Sequence, residues 1–260
     1  MTHNDLLQLE QRFIHYTRPF LELKGQDPRP YLVKEEHTQN VRKNIRLLCE
    51  GLSMDEGRTW VAEAVALFHD IGRFPQYREY GTFRDKESVN HAALSAKILL
   101  DEGLLAGLPE PEQQVIMHAV TLHNVLNVPA GLSGDDLLFT RLIRDADKLD
   151  IWRVFVEYYR MPEADRSDVV GLSLPETAVC TPAVLDALTR GEMVRHDMIS
   201  SQNDFKLLQL SWVFDLNFPT SFQLMSKRRY VEQLAAMLPK GGDVERAVDS
   251  VQKYVERKKK

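Results

Sequence analysis

Apolar residues in this chain return every three or four positions almost from end to end, and no stretch alternates apolar with polar over the length of a strand. That spacing belongs to the α-helix, so the core must be built from helix faces and the fold class is all-α. Residues 5–23 form a first amphipathic segment. Gly25 to Pro30 breaks it, because Pro28 and Pro30 cannot continue a helix. A second helix is expected from about Tyr31 to Leu52. A third is expected from about Asp55 to Phe68, with Ser53 as N-cap and Glu56 three residues on. The run from Gly72 to Val89 is dense in Gly, Pro, aromatic and charged residues. It reads as a long ordered loop of the kind that carries function. Further helices follow at about 90–105, 110–126, 135–160, 182–194, 204–216 and 220–238. A last one starts after Gly241-Gly242, where Asp243 serves as N-cap. Residues 161–181 mix Pro, Asp, Ser and Gly and read as a linker or excursion. The organisation expected is a helical core over 1–160, including the N-terminal helix, and a C-terminal helical extension over 161–260 that packs on it.

At 260 residues, with 43% hydrophobic and 27% charged, the chain can bury a sizeable core as one domain or a domain with a subdomain. A net charge of −5 argues against a general nucleic-acid binder, and the basic run Arg257-Lys258-Lys259-Lys260 reads as a solvated end. Cys49 and Cys180 lie far apart, so neither a disulfide framework nor a thiolate metal site is expected. Met1-Thr2-His3-Asn4-Asp5 lacks the basic start of a signal peptide. No apolar stretch approaches the roughly 20 residues that span a bilayer. A cytoplasmic protein with neither a membrane nor a specific nucleic-acid partner is the expectation. The oligomeric state is not legible.

The chemistry concentrates in a few inward-facing polar residues. His69 shares a helical face with Ala62, Val65 and Ala66, so its imidazole points to the core, and Asp70 follows it directly. A borderline nitrogen ligand next to a hard anionic oxygen suits a divalent transition metal. Gly72 lets the chain turn and leaves space beside the pair. His37 lies on the face of Val33, Val41, Ile45 and Leu48. Asp147 lies with Ile143, Ile151 and Val154, and Asp145 with Leu142, Leu149 and Trp152, so periodicity leaves both acids open. A carboxylate on an apolar face is costly unless it is paired or bound to metal. Ligand types converging from separate helices make a site of the kind found inside helical bundles.

His37, the run Ala66-Leu67-Phe68-His69-Asp70-Ile71-Gly72-Arg73 and the run Asp145-Ala146-Asp147-Lys148-Leu149-Asp150 together resemble the HD-domain superfamily of metal-dependent phosphohydrolases. The resemblance covers roughly residues 31–155. It implies an HD-domain-like helical bundle with additional C-terminal helices, and a divalent metal held by His37, His69, Asp70 and a later Asp. The family pattern places that acid at Asp147, with Asp145 as the fallback. Binuclear members bind a second ion through histidines in places comparable to His91 and His123. His91 precedes a face of Leu94, Ser95 and Ile98, and His123 follows one of Ile116, Ala119 and Val120. His118 competes with His123, but five residues along a helix is about 140° of rotation, so the two should not share a site. Two ions would share Asp70. Whether one or two bind, and which of Mn, Mg, Fe, Co, Ni or Zn, is left open.

Arg73, directly after the metal motif, is the favoured contact for phosphate oxygens, ahead of Arg78, Arg84 and Lys86. Lys148 beside Asp147 is a second candidate, for a phosphate or an acid near the ligands. Asp150 is placed to hold a ligand histidine in its proper tautomer. Phe74, Tyr77, Tyr80 and Phe83 either line a pocket for a base or ring or pin the loop to the core. The function implied is hydrolysis of a phosphate ester or anhydride, nucleotides included, on a small-molecule substrate by metal-activated water. Cyclic-dinucleotide phosphodiesterases of the superfamily carry Gly-Tyr-Pro after paired histidines, whereas Asn124-Val125-Leu126-Asn127 stands here. Hydrolases of hyperphosphorylated guanine nucleotides carry Glu-Asp after His-Asp, whereas Ile71-Gly72-Arg73-Phe74 stands here. The alternatives are a di-iron oxygenase of the wider superfamily and a non-catalytic metal-containing sensor or interaction module.

Overall fold

The computed structural model describes residues 1–22, 27–162 and 174–259. Gly25 in the expected break, and most of the expected 161–181 linker, lie outside the described residues. Every regular element among the described residues is helical. The chain divides into two compact units, Met1–Asp150 and Ile151–Lys260.

In the first unit, α1 (His3–Leu21) opens on a capping box in which Thr2 Oγ1 accepts from Asp5 N and Asp5 Oδ2 accepts from Thr2 N at 2.8 Å. It buries Leu6, Leu9, Phe13, Thr17 and Phe20, one stripe of the helical period. α2 (Arg29–Gly51) buries Tyr31, His37, Val41, Ile45 and Leu48. α3 (Glu56–Phe68) is apolar on all sides from Val61 to Phe68, apart from Glu63, and packs against α1, α2 and α6 (Glu110–Leu122). A helix buried all round belongs at the centre of a bundle, and its C-terminal end therefore delivers His69 to the interior. α5 (His91–Asp101) packs on α6, with Asn90 accepting from Ala93 N at its start. α7 (Gly134–Arg160) completes the unit and runs on into the next.

Three expectations change here. The cap of α3 is Asp55, whose side chain accepts from Arg58 N at 2.9 Å. Ser53 instead takes the left-handed conformation, φ +50°, in the tight turn after α2. The expected loop 72–89 contains a helix, α4 (Arg73–Tyr80), before a 3₁₀ turn at Asp85–Glu87. Pro75 sits in the first turn of α4, where its missing N–H is not needed, and Gly81 at φ +66° ends the helix. Gly72 has φ −65°, so it needs no glycine-specific turn. What it supplies is room, because a Cβ there would lie 2.6 Å from the His91 carbonyl.

In the second unit, α8 (Pro182–Thr189), α9 (Gln202–Ser211) and α12 (Gly242–Lys258) pack together. α9 is buried on every side. Asp204 on α9 accepts from the backbone N–H and hydroxyl of both Thr181 and Ser200, at 2.7–3.0 Å, which ties the entry of α8 to α9. The expected helix 220–238 is two, α10 (Pro219–Arg228) and α11 (Tyr230–Ala235), broken where Arg229 adopts φ +56°. α12 starts from Gly241 with no side-chain cap, so Asp243 lies in the first turn, where its charge meets the helix dipole. Among the described residues no helix is long and apolar enough to cross a membrane.

Candidate metal centre

Six side chains from five segments of the first unit meet in one place. His69 caps α3, and its Nδ1 donates to the Ala66 carbonyl at 2.8 Å. His123 caps α6, and its Nδ1 donates to the Val120 carbonyl at 2.7 Å. His37 on α2 places Nδ1 2.7 Å from Asp150 Oδ2, and His91 at the start of α5 places Nδ1 2.6 Å from Asp85 Oδ2. In every case Nδ1 faces an acceptor, so the free Nε2 is the edge turned inward, the arrangement of metal-binding histidines.

The inward nitrogens form two pairs. His37 Nε2 and His69 Nε2 are 3.4 Å apart, and His91 Nε2 and His123 Nε2 are 3.0 Å apart. Asp70 lies between the pairs and turns one oxygen to each. Its Oδ2 is 3.8 Å from His37 Nε2 and 3.7 Å from His69 Nε2. Its Oδ1 is 3.4 Å from His91 Nε2 and 3.8 Å from His123 Nε2. Asp147 on α7 brings Oδ1 to 3.0 Å from His37 Nε2 and 3.8 Å from His69 Nε2. Ligands about 2.1 Å from one ion sit roughly 3.0–3.4 Å from each other. Both imidazole pairs, His37 with Asp147 and His91 with Asp70 meet that spacing, and the other carboxylate–imidazole separations, at 3.7–3.8 Å, exceed it by a few tenths of an ångström.

Two observations test whether these residues fit divalent cations. Asp147 Oδ1 is buried 3.0 Å from His37 Nε2, an expensive place for a carboxylate oxygen unless a protonated imidazole or a metal cation faces it. The Nε2 atoms of His91 and His123, 3.0 Å apart with both Nδ1 atoms already committed, would set lone pair against lone pair. Both groupings, His37 with His69 and Asp70, and Asp70 with His91 and His123, have the donor chemistry of a divalent transition-metal site.

The electrostatics agree. Burial, reinforced by neighbouring His91 and His69, pushes His123 down to about 3. Burial also lowers His69 and, with the Arg73 charge, His91, so all three stay neutral and able to bind metal. Burial would lower His37 too, but Asp147 and Asp150 on either side raise it to about 9. In the metal-free protein that proton stands where a cation would. Burial opposes ionisation of Asp70, yet the Lys34 and Arg73 charges keep it well below the usual carboxylate range. Asp147 is likewise held down, against burial, chiefly by His37.

Some expected participants sit differently. His118 is half exposed and places Nδ1 3.0 Å from Asp136, on a different face of α6 from His123. Asp145 is fully buried and has interactions of its own, while Asp147 is the acid found against His37 and His69. Arg73 flanks Asp70, Nε to Oδ1 3.4 Å, but its Nη1 binds Gln76 Oε1, the Phe83 carbonyl and Asp85 Oδ1. Lys148 is buried and donates to the Arg144 carbonyl at 3.4 Å, among other interactions. Arg78 lies over the Phe20 ring, Arg84 pairs with Glu87, and Lys86 is exposed. Phe74 is buried among Phe13, Phe20 and Tyr31, Tyr80 is exposed, and Tyr77 contacts Phe83.

Two residues went unnoticed in the sequence. Lys34 places Nζ 2.7 Å from Asp70 Oδ2. It stands three residues before His37, hence on the same face of α2, which is a signal that could have been read. Asp85 orients His91 and is itself lowered to about 2, against burial, chiefly by His91. It lies outside any helical period and carried no such signal.

Residues 35–152 match the family model described as the HD domain. No curated protein and no solved structure matches the chain.

Proposed function

With residues 35–152 forming an HD domain, we propose that this protein is a metal-dependent phosphohydrolase that cleaves a phosphate ester or anhydride of a small molecule, nucleotides included. The observation that carries the reading is Asp70 lying between two imidazole pairs with one oxygen to each. A carboxylate so placed would serve two cations at once. His37, His69 and Asp147 would complete one position, and His91 and His123 the other. Neutral imidazoles would add affinity without adding charge, and a shared carboxylate would offset part of the repulsion between two ions. When bound, divalent cations acidify water and draw charge from phosphoryl oxygens, the requirement of phosphate hydrolysis.

The chain's own residues supply the rest. Asp150 and Asp85 hold the rings of His37 and His91 so that Nε2 faces the centre. Arg73 braces the segment carrying Phe83 and Asp85 against α4. The His69 and His123 side chains are at most 2% exposed, whereas Asp147 and Lys34 are 16% and 18% exposed, so the centre is less covered at those two residues. A phosphate group entering there meets carboxylates only after cations have neutralised them, so substrate binding should depend on metal.

The test is metal analysis of the protein as purified, then a screen of phosphate esters and anhydrides with added Mn²⁺, Mg²⁺, Co²⁺ or Ni²⁺. Phosphate release that needs metal and disappears in Asp70→Ala supports the reading. Bound iron with oxygen uptake and no phosphate release would favour the oxygenase alternative. Metal without any turnover would favour a sensor.

A further inference from the structure

Lys34 sits at the open edge of the centre. Its Nζ is 2.7 Å from Asp70 Oδ2 and 5.4 Å from the centroid of the Phe83 ring, and its side chain is 18% exposed. Asp70 Oδ2 is also the oxygen turned to His37 and His69. A dication taking that oxygen would stand beside the ammonium, and like charges at that range repel. The lysine then needs a new anion. Its stem is fixed on α2 one turn before His37, and Phe83 offers the face of a ring to a cation. The ammonium can therefore move only within reach of that stem, which keeps it at the edge of the centre. Arg73, the other base beside Asp70, is held in place by its Nη1, which binds three acceptors, and so is less able to change partner.

We propose that Lys34 is a substrate-contacting residue, which leaves Asp70 when metal binds and takes a non-bridging oxygen of the substrate's phosphate group. This rests on the phosphohydrolase reading and adds to it a phosphate contact outside the metal ligands. Lysine suits the role because its ammonium is a compact charge on a flexible stem with three donors, able to change partner without a fixed geometry. In the metal-free protein the Asp70 pairing keeps the ammonium and the carboxylate from being buried unpaired.

The experiment uses the full chain loaded with Mn²⁺ and inorganic phosphate as the probe. Metal content is measured by elemental analysis and phosphate affinity by calorimetry, for wild type, Lys34→Met, Lys34→Gln, Lys34→Arg and a control, Lys43→Met, on the exposed side of α2. Expected is unchanged metal content in all of them. Phosphate affinity should fall about tenfold or more in Lys34→Met and Lys34→Gln, the size of one charge-assisted contact. Lys34→Arg should stay within about threefold of wild type, and Lys43→Met should be unchanged. Full metal with unchanged phosphate affinity in Lys34→Met and Lys34→Gln would overturn the proposal and leave Lys34 as a neutraliser of Asp70. Loss of metal in parallel with phosphate would also overturn it, since the lysine would then act on the ligands. Failure of the metal-loaded wild type to bind phosphate would overturn the phosphohydrolase reading itself, and the Lys34 assignment with it.

Discussion

Adding one methyl group at Gly72 sets two effects of opposite sign against each other. Gly72 has φ −65°, which any residue adopts, so alanine there should restrict the unfolded chain and stabilise by about 0.4–1 kcal/mol. The same methyl, however, would lie 2.6 Å from the His91 carbonyl oxygen, 2.7 Å from Ser95 N and 2.9 Å from Ser95 Oγ. Two of these are backbone atoms at the start of α5 and cannot rotate away. A C···O contact settles at roughly 3.3 Å, so α5 has to retreat by about 0.7 Å. Overpacking on that scale costs about 1–3 kcal/mol, which outweighs the entropic gain. The Gly72 N–H also loses its 2.9 Å bond to Ser95 Oγ. The expected net loss for Gly72→Ala is about 1–2 kcal/mol, read by urea denaturation of the metal-free protein. The functional consequence is larger. His91 opens α5, and its Nε2 is 3.4 Å from Asp70, so the retreat pulls His91 off the centre while His37 and His69, on α2 and α3, stay in place. Elemental analysis should show binding falling from two ions toward one, with turnover down about a hundredfold, as a displacement near 1 Å commonly produces. A Gly72→Ala protein as stable as wild type, with both ions and full rate, would show that α5 yields at this contact without cost to the centre.

Other expectations are narrower. His69→Ala and Asp70→Ala should each abolish metal retention and hydrolysis while circular dichroism stays helical, because both residues follow the end of α3 and the loss is local; full metal occupancy in either would put the site elsewhere. His123→Ala should bring metal stoichiometry toward one and cut turnover by roughly a hundredfold, whereas His118→Ala, which removes a half-exposed ring beside Asp136, should change either by less than about threefold. Asp204→Ala should cost about 2–3 kcal/mol at pH 7, since it strands the donors of Thr181 and Ser200. Burial opposes its ionisation, but the Thr181 and Ser200 bonds hold its folded pKa below the unfolded value. Its stabilisation is therefore complete above about pH 4 and lost as pH falls through the folded value, so wild type and variant should converge in acid urea titrations. A gap between them that does not narrow in acid would show that the carboxylate's charge is not what stabilises.

Local spacing was enough to establish that this chain is helical, because the helical period is a property of neighbours three and four residues apart. It also turned His37, His69 and Asp147 inward, and it put His118 and His123 on different faces of one helix. It could not find α4, a helix of eight residues whose buried side chains are only Phe74 and Gln76, too short for a period to register. Nor could it foresee the break at Arg229, where the same apolar spacing continues across a left-handed residue. Periodicity reports that a face is buried but not what covers it. Which imidazoles pair, that Asp70 lies between the pairs, that Asp85 rather than a helical neighbour orients His91, and that Lys34 meets Asp70 all depend on segments distant in sequence. Gly72 shows the difference in a single residue: its identity suggests freedom to turn, while its ordinary φ and the backbone of α5 against its Cα show that packing requires the missing side chain.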